Sequence, residues 1–119
     1  MGFLQTSIMV VDDEEDIGYF LKHYLSVKSY DVSTAYTAEQ ALRMMQEKPV
    51  DIVVLDMVMK GMHGADAAKI IHDRFPSTKI VVVTAYPDEA DRIEKDVPLA
   101  GRFIKPLGIE DLFIKLQGM

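Results

Sequence analysis

The sequence contains no cysteine. Disulfides, thiolate nucleophiles and cysteine-ligated zinc are therefore excluded, and a reducing cytosol is the expected compartment. Long hydrophobic runs are missing as well. None approaches the ~20 residues of a membrane span, and the N-terminus lacks the basic segment followed by a long apolar one that marks an export signal. Positive charge is in the minority: 13 Lys and Arg face 19 Asp and Glu, for a formal net charge of −6. A domain of that sign does not by itself grip a phosphate backbone. Repeats, low-complexity tracts and linkers are also absent. What is present is ordinary for a folded domain, with 49% hydrophobic and 27% charged residues, far from the signature of disorder. The 119 residues fit one domain spanning 1–119. A chain of that size buries roughly two thirds of its unfolded surface and needs no staples.

Short apolar runs alternate with amphipathic stretches. Ser7 to Val11 is apolar and stops at Asp12-Asp13; residues 14–28 then place Ile17, Phe20, Leu21, Tyr24 and Leu25 at helical spacing. Tyr30 to Tyr36 alternates and is rich in β-branched and aromatic residues, which predicts a second strand. Thr37 with Gln40 resembles a capping box opening a helix that ends before Pro49. Val50 to Leu55 is a third strand ending at Asp56. Gly61 and Gly64 punctuate a loop before a helix carrying Ala67, Ala68, Ile70 and Ile71. Lys79 to Thr84 reads as a fourth strand, Pro87 as the first turn of a helix, Gly101 to Ile104 as a fifth strand, and Ile109, Leu112, Phe113 and Leu116 as the stripe of a last helix.

Five strand–helix units in strict alternation imply a parallel sheet with helices on both faces. Strands one, three and four are nearly continuous apolar runs, as strands covered on both sides should be. Right-handed crossovers favour the order 2-1-3-4-5, a flavodoxin-like (βα)5 three-layer α/β sandwich.

Function in such a sheet gathers beyond the carboxyl ends of the strands. This sequence ends strand one in Asp12-Asp13, strand three in Asp56, strand four in Thr84 and strand five near Lys105. Singly, each acidic residue is as well explained as a turn former or helix cap; their convergence on one edge is harder to dismiss. Crowded carboxylates repel and resist ionisation. A hard divalent cation such as Mg²⁺ relieves this with oxygen ligands. Lys105 adds a positive charge and Thr84 a hydroxyl donor. A cation, a lysine and a hydroxyl around one carboxylate are what a transferring phosphoryl group needs, and the carboxylate can itself be the nucleophile.

Val-Val-Asp-Asp-Glu-Glu-Asp-Ile (10–17), Val-Leu-Asp-Met-Val-Met-Lys-Gly-Met-His-Gly (54–64), Val-Thr-Ala-Tyr (83–86) and Phe-Ile-Lys-Pro-Leu (103–107) together resemble the CheY-like receiver domain of two-component response regulators. Each motif alone is weak; the ordered set, spanning nearly the whole chain, is specific. The resemblance implies that Asp56 accepts phosphate from a phosphohistidine on a sensor histidine kinase or phosphotransfer protein. Asp13 would bind Mg²⁺ (or Mn²⁺) directly and Asp12 mainly through metal-bound water, with the backbone carbonyl of Val58 completing the protein ligands. Thr84 and Lys105 would contact phosphoryl oxygens, Ala85 would leave room for them, and the bond before Pro106 would be cis. A downstream protein, or an output domain outside this sequence, would read the switched surface. The domain would be a signalling acceptor with only slow self-phosphorylation and self-dephosphorylation, would bind neither nucleic acid nor membrane, and would be a monomer or a weak phosphorylation-dependent dimer.

Several positions depart from the family pattern. Lys60 stands where proline is usual. Val58 and Tyr86 occupy positions that tune dephosphorylation in the family, and an apolar Val58 with a covering Tyr86 implies a slow-decaying phosphoryl group. Arg102 stands where the switch aromatic is usual, three residues before the lysine; either a shortened loop lets Phe103 take that role or the usual Thr–aromatic coupling is altered. An aspartyl-phosphate hydrolase of the haloacid-dehalogenase type would also use a strand-end Asp with Mg²⁺, but its second Asp is replaced here by Val58. A flavin-binding module would need a Ser-, Thr- or Gly-rich loop after strand one, where Asp12-Asp13 stand instead. A receiver that is never phosphorylated is the remaining alternative. The methionines read as gap fillers, and His23, His63 and His72 lack the spacing of a shared metal site.

Overall fold

The computed structural model describes residues 5–57, 59, 61–105 and 108–119. Strands and helices alternate without exception: β1 (Ser7–Val11), α1 (Glu15–Val27), β2 (Asp31–Ala35), α2 (Ala38–Glu47), β3 (Ile52–Asp56), α3 (Gly64–Arg74), β4 (Lys79–Thr84), α4 (Pro87–Glu94), β5 (Gly101–Ile104) and α5 (Ile109–Gln117). The strands form one sheet in the order β2-β1-β3-β4-β5, with every pairing parallel. This is the flavodoxin-like arrangement expected from the alternation. No helix among the described residues is long and apolar enough to cross a membrane.

Successive strand residues face opposite sides of a sheet, so each central strand feeds two cores. On one side Met9, Val11, Val53, Leu55, Ile80 and Val82 pack with Ala41 and Met45 of α2, Ala67 and Ile71 of α3, and Ala90 and Ile93 of α4. On the other, Ile8, Val10, Ile52, Val54, Val81 and Val83 pack with Leu21 and Leu25 of α1 and Leu112 and Leu116 of α5. That double coverage is why the central strands carry polar residues only at their first or last positions. Each such side chain contributes roughly 1.5–3 kcal/mol by leaving water.

The local signals for helix starts hold. The Thr37 side chain accepts a hydrogen bond from Gln40 N–H at 3.0 Å, and Gln40 Oε1 accepts from Tyr36 N–H at 2.8 Å. The reciprocal half of the box thus closes on the residue before the cap rather than on the cap itself. Pro87 opens α4, where its missing N–H costs nothing. Some boundaries differ from the sequence reading, and β2 is Asp31–Ala35 rather than Tyr30 to Tyr36. β3 begins at Ile52 rather than Val50, and Gly64 is not a loop residue but the first residue of α3. Gly61 remains in the loop with φ +85°, a conformation that side chains with a Cβ rarely adopt.

Candidate functional site

Because all five strands run the same way, their carboxyl ends share one edge. Asp12 follows β1, Asp56 ends β3, Thr84 ends β4 and Lys105 follows β5. Ladder bonds continue past the strand ends and hold these residues in register. Asp12 N–H donates to Ala35 O at 3.1 Å, Met57 N–H to Val83 O at 3.0 Å and Lys105 N–H to Thr84 O at 2.9 Å. Strand parity then aims the side chains. Asp56 continues Ile52 and Val54 toward the α1 and α5 side, whereas Thr84 continues Ile80 and Val82 toward α3 and α4.

Asp12, Asp13 and Asp56 each present a carboxylate oxygen within 4.8 Å of the others. Asp12 and Asp56 are 5% and 4% exposed, which is rare for carboxylates and leaves water unable to separate their charges. Lys105 Nζ donates to Asp56 Oδ2 at 3.2 Å. Asp12 Oδ1 accepts from the N–H of Glu14 at 2.9 Å, which fixes its carboxylate at the start of α1. Burial pushes the Asp12 carboxyl up from 3.8 to about 6; the Glu14 N–H opposes this, Asp56 adds to it and Lys105 relieves it. Burial lowers the Lys105 pKa, but the charge and hydrogen bond of Asp56, with Asp12 and Glu14 behind, outweigh it and hold the ammonium above its ordinary value. Three acids against one ammonium form an oxygen donor set with surplus negative charge. That chemistry fits a hard dication such as Mg²⁺, and among the described residues this is the one group of three or more His or acidic side chains able to hold a metal.

A cavity of ≈ 310 Å³ adjoins the acids. Val10, Ile17, Phe20, Val54 and Ile109 line it, and Asp12, Asp56 and Lys105 form its polar end.

The remaining expected residues are distributed unevenly. Thr84 is fully buried, and its Oγ1 accepts from Tyr86 N–H at 3.0 Å at the cap of α4. Ala85 is exposed beside it, and Tyr86 is 57% exposed. Phe103 is half-buried in the core shared by α1 and α5, on the face away from α4. Arg102 instead faces α4, where Nη1 donates to Asp91 and, at 2.9 Å, to Glu94. Val58, Lys60 and Pro106 lie outside the described residues. The sequence reading missed the pairing of Arg102 with α4. Asp91 and Glu94, three apart on one helix face, were its available signal. It also missed the fastening of Asp12 by Glu14, which a side-chain motif cannot reveal because the donor is backbone.

Comparison with known proteins agrees with this geometry. A family model for the response regulator receiver domain matches residues 8–117. The response regulator ArlR of Staphylococcus aureus is 27% identical over 115 residues, covering 96% of this chain and 52% of that protein. The chain therefore spans about half the length of the curated relatives it matches. Among solved structures, a CheY-like receiver domain protein from Methanospirillum hungatei shares the fold with a TM-score of 0.91 at 24% identity, covering 97% of this chain and 93% of that one. Response regulator TrrA of Thermotoga maritima, solved in complex with Mg²⁺ and BeF, is 30% identical with a TM-score of 0.84, covering 96% and 98%. Neither the hydrolase nor the flavin reading gains support from any of these. With an ordered five-strand sheet, an acidic cluster at its carboxyl edge and a family match over nearly its whole length, this chain belongs to the receiver domain family of two-component response regulators.

Proposed function

We propose that Asp56 is the phosphoacceptor of a Mg²⁺- or Mn²⁺-dependent switch, charged by a phosphohistidine on a sensor histidine kinase or phosphotransfer protein. One observation carries this reading: three carboxylates gathered within 4.8 Å, with the Lys105 ammonium 3.2 Å from the acid at residue 56. An Asp56 oxygen attacks phosphorus while the phosphorus–nitrogen bond to the donor imidazole breaks. The imidazole keeps that electron pair, and the product is an acyl phosphate. Lys105, paired with Asp56 at rest, transfers its hydrogen bond to a phosphoryl oxygen. Thr84, whose hydroxyl at rest donates a long 3.5 Å bond to Tyr86 O and accepts from Tyr86 N–H, turns that hydrogen to another. Asp12, Asp13 and Asp56, with the carbonyl of Val58, would hold the dication. When bound, it neutralises negative charge on the phosphoryl oxygens. Ala85 leaves the space they enter.

In this reading residues 1–119 are one receiver domain that signals in the cytoplasm rather than turning over substrate. Its reactions with small phosphodonors and with water are slow, and a downstream protein or an output domain reads the altered surface. Incubation with Mg²⁺ and a small acyl phosphate should add one base-labile phosphoryl group, detected by intact mass. Chelation should abolish the gain, and Asp56→Asn should lack it. An equal gain in Asp56→Asn would overturn the assignment.

A further inference from the structure

Gly64 is buried and opens α3, a position where alanine is the better helix former. Its backbone is not left-handed, so local conformation does not demand glycine there. The demand comes from across the loop. A Cβ on Gly64 would lie 2.6 Å from Met57 Cα, 3.0 Å from Met57 O and 3.0 Å from the Met57 terminal methyl. The first two are backbone atoms and cannot swing aside. Nor can Met57 retreat, because its N–H is held to Val83 O of β4 at 3.0 Å while its carbonyl accepts from Gly64 N–H at 3.4 Å. The residue after Asp56 is thus clamped between β4 and the bare start of α3.

We propose that Gly64 is a positioning residue for the phosphoacceptor site: its lack of a side chain lets α3 seat directly on Met57 and so holds the backbone just beyond Asp56. This rests on the metal-dependent acceptor reading above. A Cβ there cannot displace Met57 without breaking the bond to Val83. The start of α3 moves outward instead and gives up its bond to the Met57 carbonyl, so the backbone that carries Asp56 loses one side of the clamp that sets it against Asp12 and Asp13.

The test compares wild type, Gly64→Ala, Gly18→Ala and the double variant Gly64→Ala/Met57→Ala. Gly18, on α1, is the control, since a Cβ there meets nothing nearer than 3.7 Å. Mn²⁺ affinity is read by electron paramagnetic resonance, acyl-phosphate formation by mass, and folding by circular dichroism and urea midpoint. Gly64→Ala should remain folded, bind Mn²⁺ at least tenfold more weakly and acquire phosphate correspondingly slowly, whereas Gly18→Ala behaves as wild type. The double variant should stay impaired, because removing the thioether leaves the clash with the backbone of residue 57 in place. Recovery in the double variant, undiminished Mn²⁺ binding in Gly64→Ala, or outright unfolding of Gly64→Ala would each overturn the proposal; unfolding would mean that the close approach carries the fold and not the loop. Absence of Mn²⁺ binding in wild type would instead strike the acceptor reading itself.

Discussion

Lys105 Nζ and Asp56 Oδ2 meet at 3.2 Å although 49 positions separate the two residues in the chain. The lysine thereby answers part of the negative charge of Asp12, Asp13 and Asp56. A dication held by Asp12, Asp13 and Asp56 would compete with the ammonium for the Asp56 carboxylate, whereas a phosphoryl group on Asp56 would need both. Lys105→Met is therefore expected to separate two quantities. Mn²⁺ affinity should rise severalfold, because a repelling charge has gone. Acyl-phosphate formation should slow by about one to two orders of magnitude, since a charge-assisted hydrogen bond contributes about 1.5–3 kcal/mol. Titration and intact-mass kinetics on the same preparation check both, and parallel losses would contradict this account.

Asp12 predicts an unusual pH dependence for the metal-free domain. Its carboxyl has an ordinary value of 3.8 and is pushed to about 6 in the fold, chiefly by burial. Between those values the folded state binds the extra proton, so stability falls as pH rises through the window and the loss is complete above it. A shift of that size corresponds to about 3 kcal/mol as an upper bound. Urea midpoints taken in chelator at pH 5 and pH 7.5 should show the penalty. Asp12→Asn should remove it, and so should excess Mg²⁺ at the higher pH. An unchanged slope in Asp12→Asn would assign the dependence to other acids.

The ion pairs of Arg102 with Asp91 and Glu94 bear on α4, a helix of 8 residues that buries only Ala90 and Ile93. With so little apolar anchorage, the charge contacts to β5 matter to its order even though they are exposed. Arg102→Ala should leave acyl-phosphate formation unchanged while amide exchange within α4 quickens severalfold. High salt should reproduce that quickening in wild type and add nothing in the variant. Equal exchange in both proteins at low salt would show that Ala90 and Ile93 hold the helix alone.

Much of this molecule was legible before any coordinates. Alternating apolar and amphipathic segments determine five strand–helix units, because a strand covered on both faces can carry polar residues only at its ends. The same rule locates Asp12, Asp13, Asp56, Thr84 and Lys105 on one edge. Thr37 and Gln40 announce α2 by a local hydrogen-bond pattern that needs no distant partner.

Only the tertiary structure decided what those residues touch. That Lys105 reaches Asp56, that Thr84 turns toward Tyr86 and the α4 side, and that Arg102 rather than Phe103 faces α4 depend on strand parity and on register across β4 and β5. Gly64 is the clearest instance. Read along the chain it is loop punctuation, and by helix propensity it should be alanine. The approach of Met57, just beyond the end of β3, leaves no room for a Cβ there. Sequence periodicity encodes which face a residue takes; the distance between two backbones arises only when separate elements pack together.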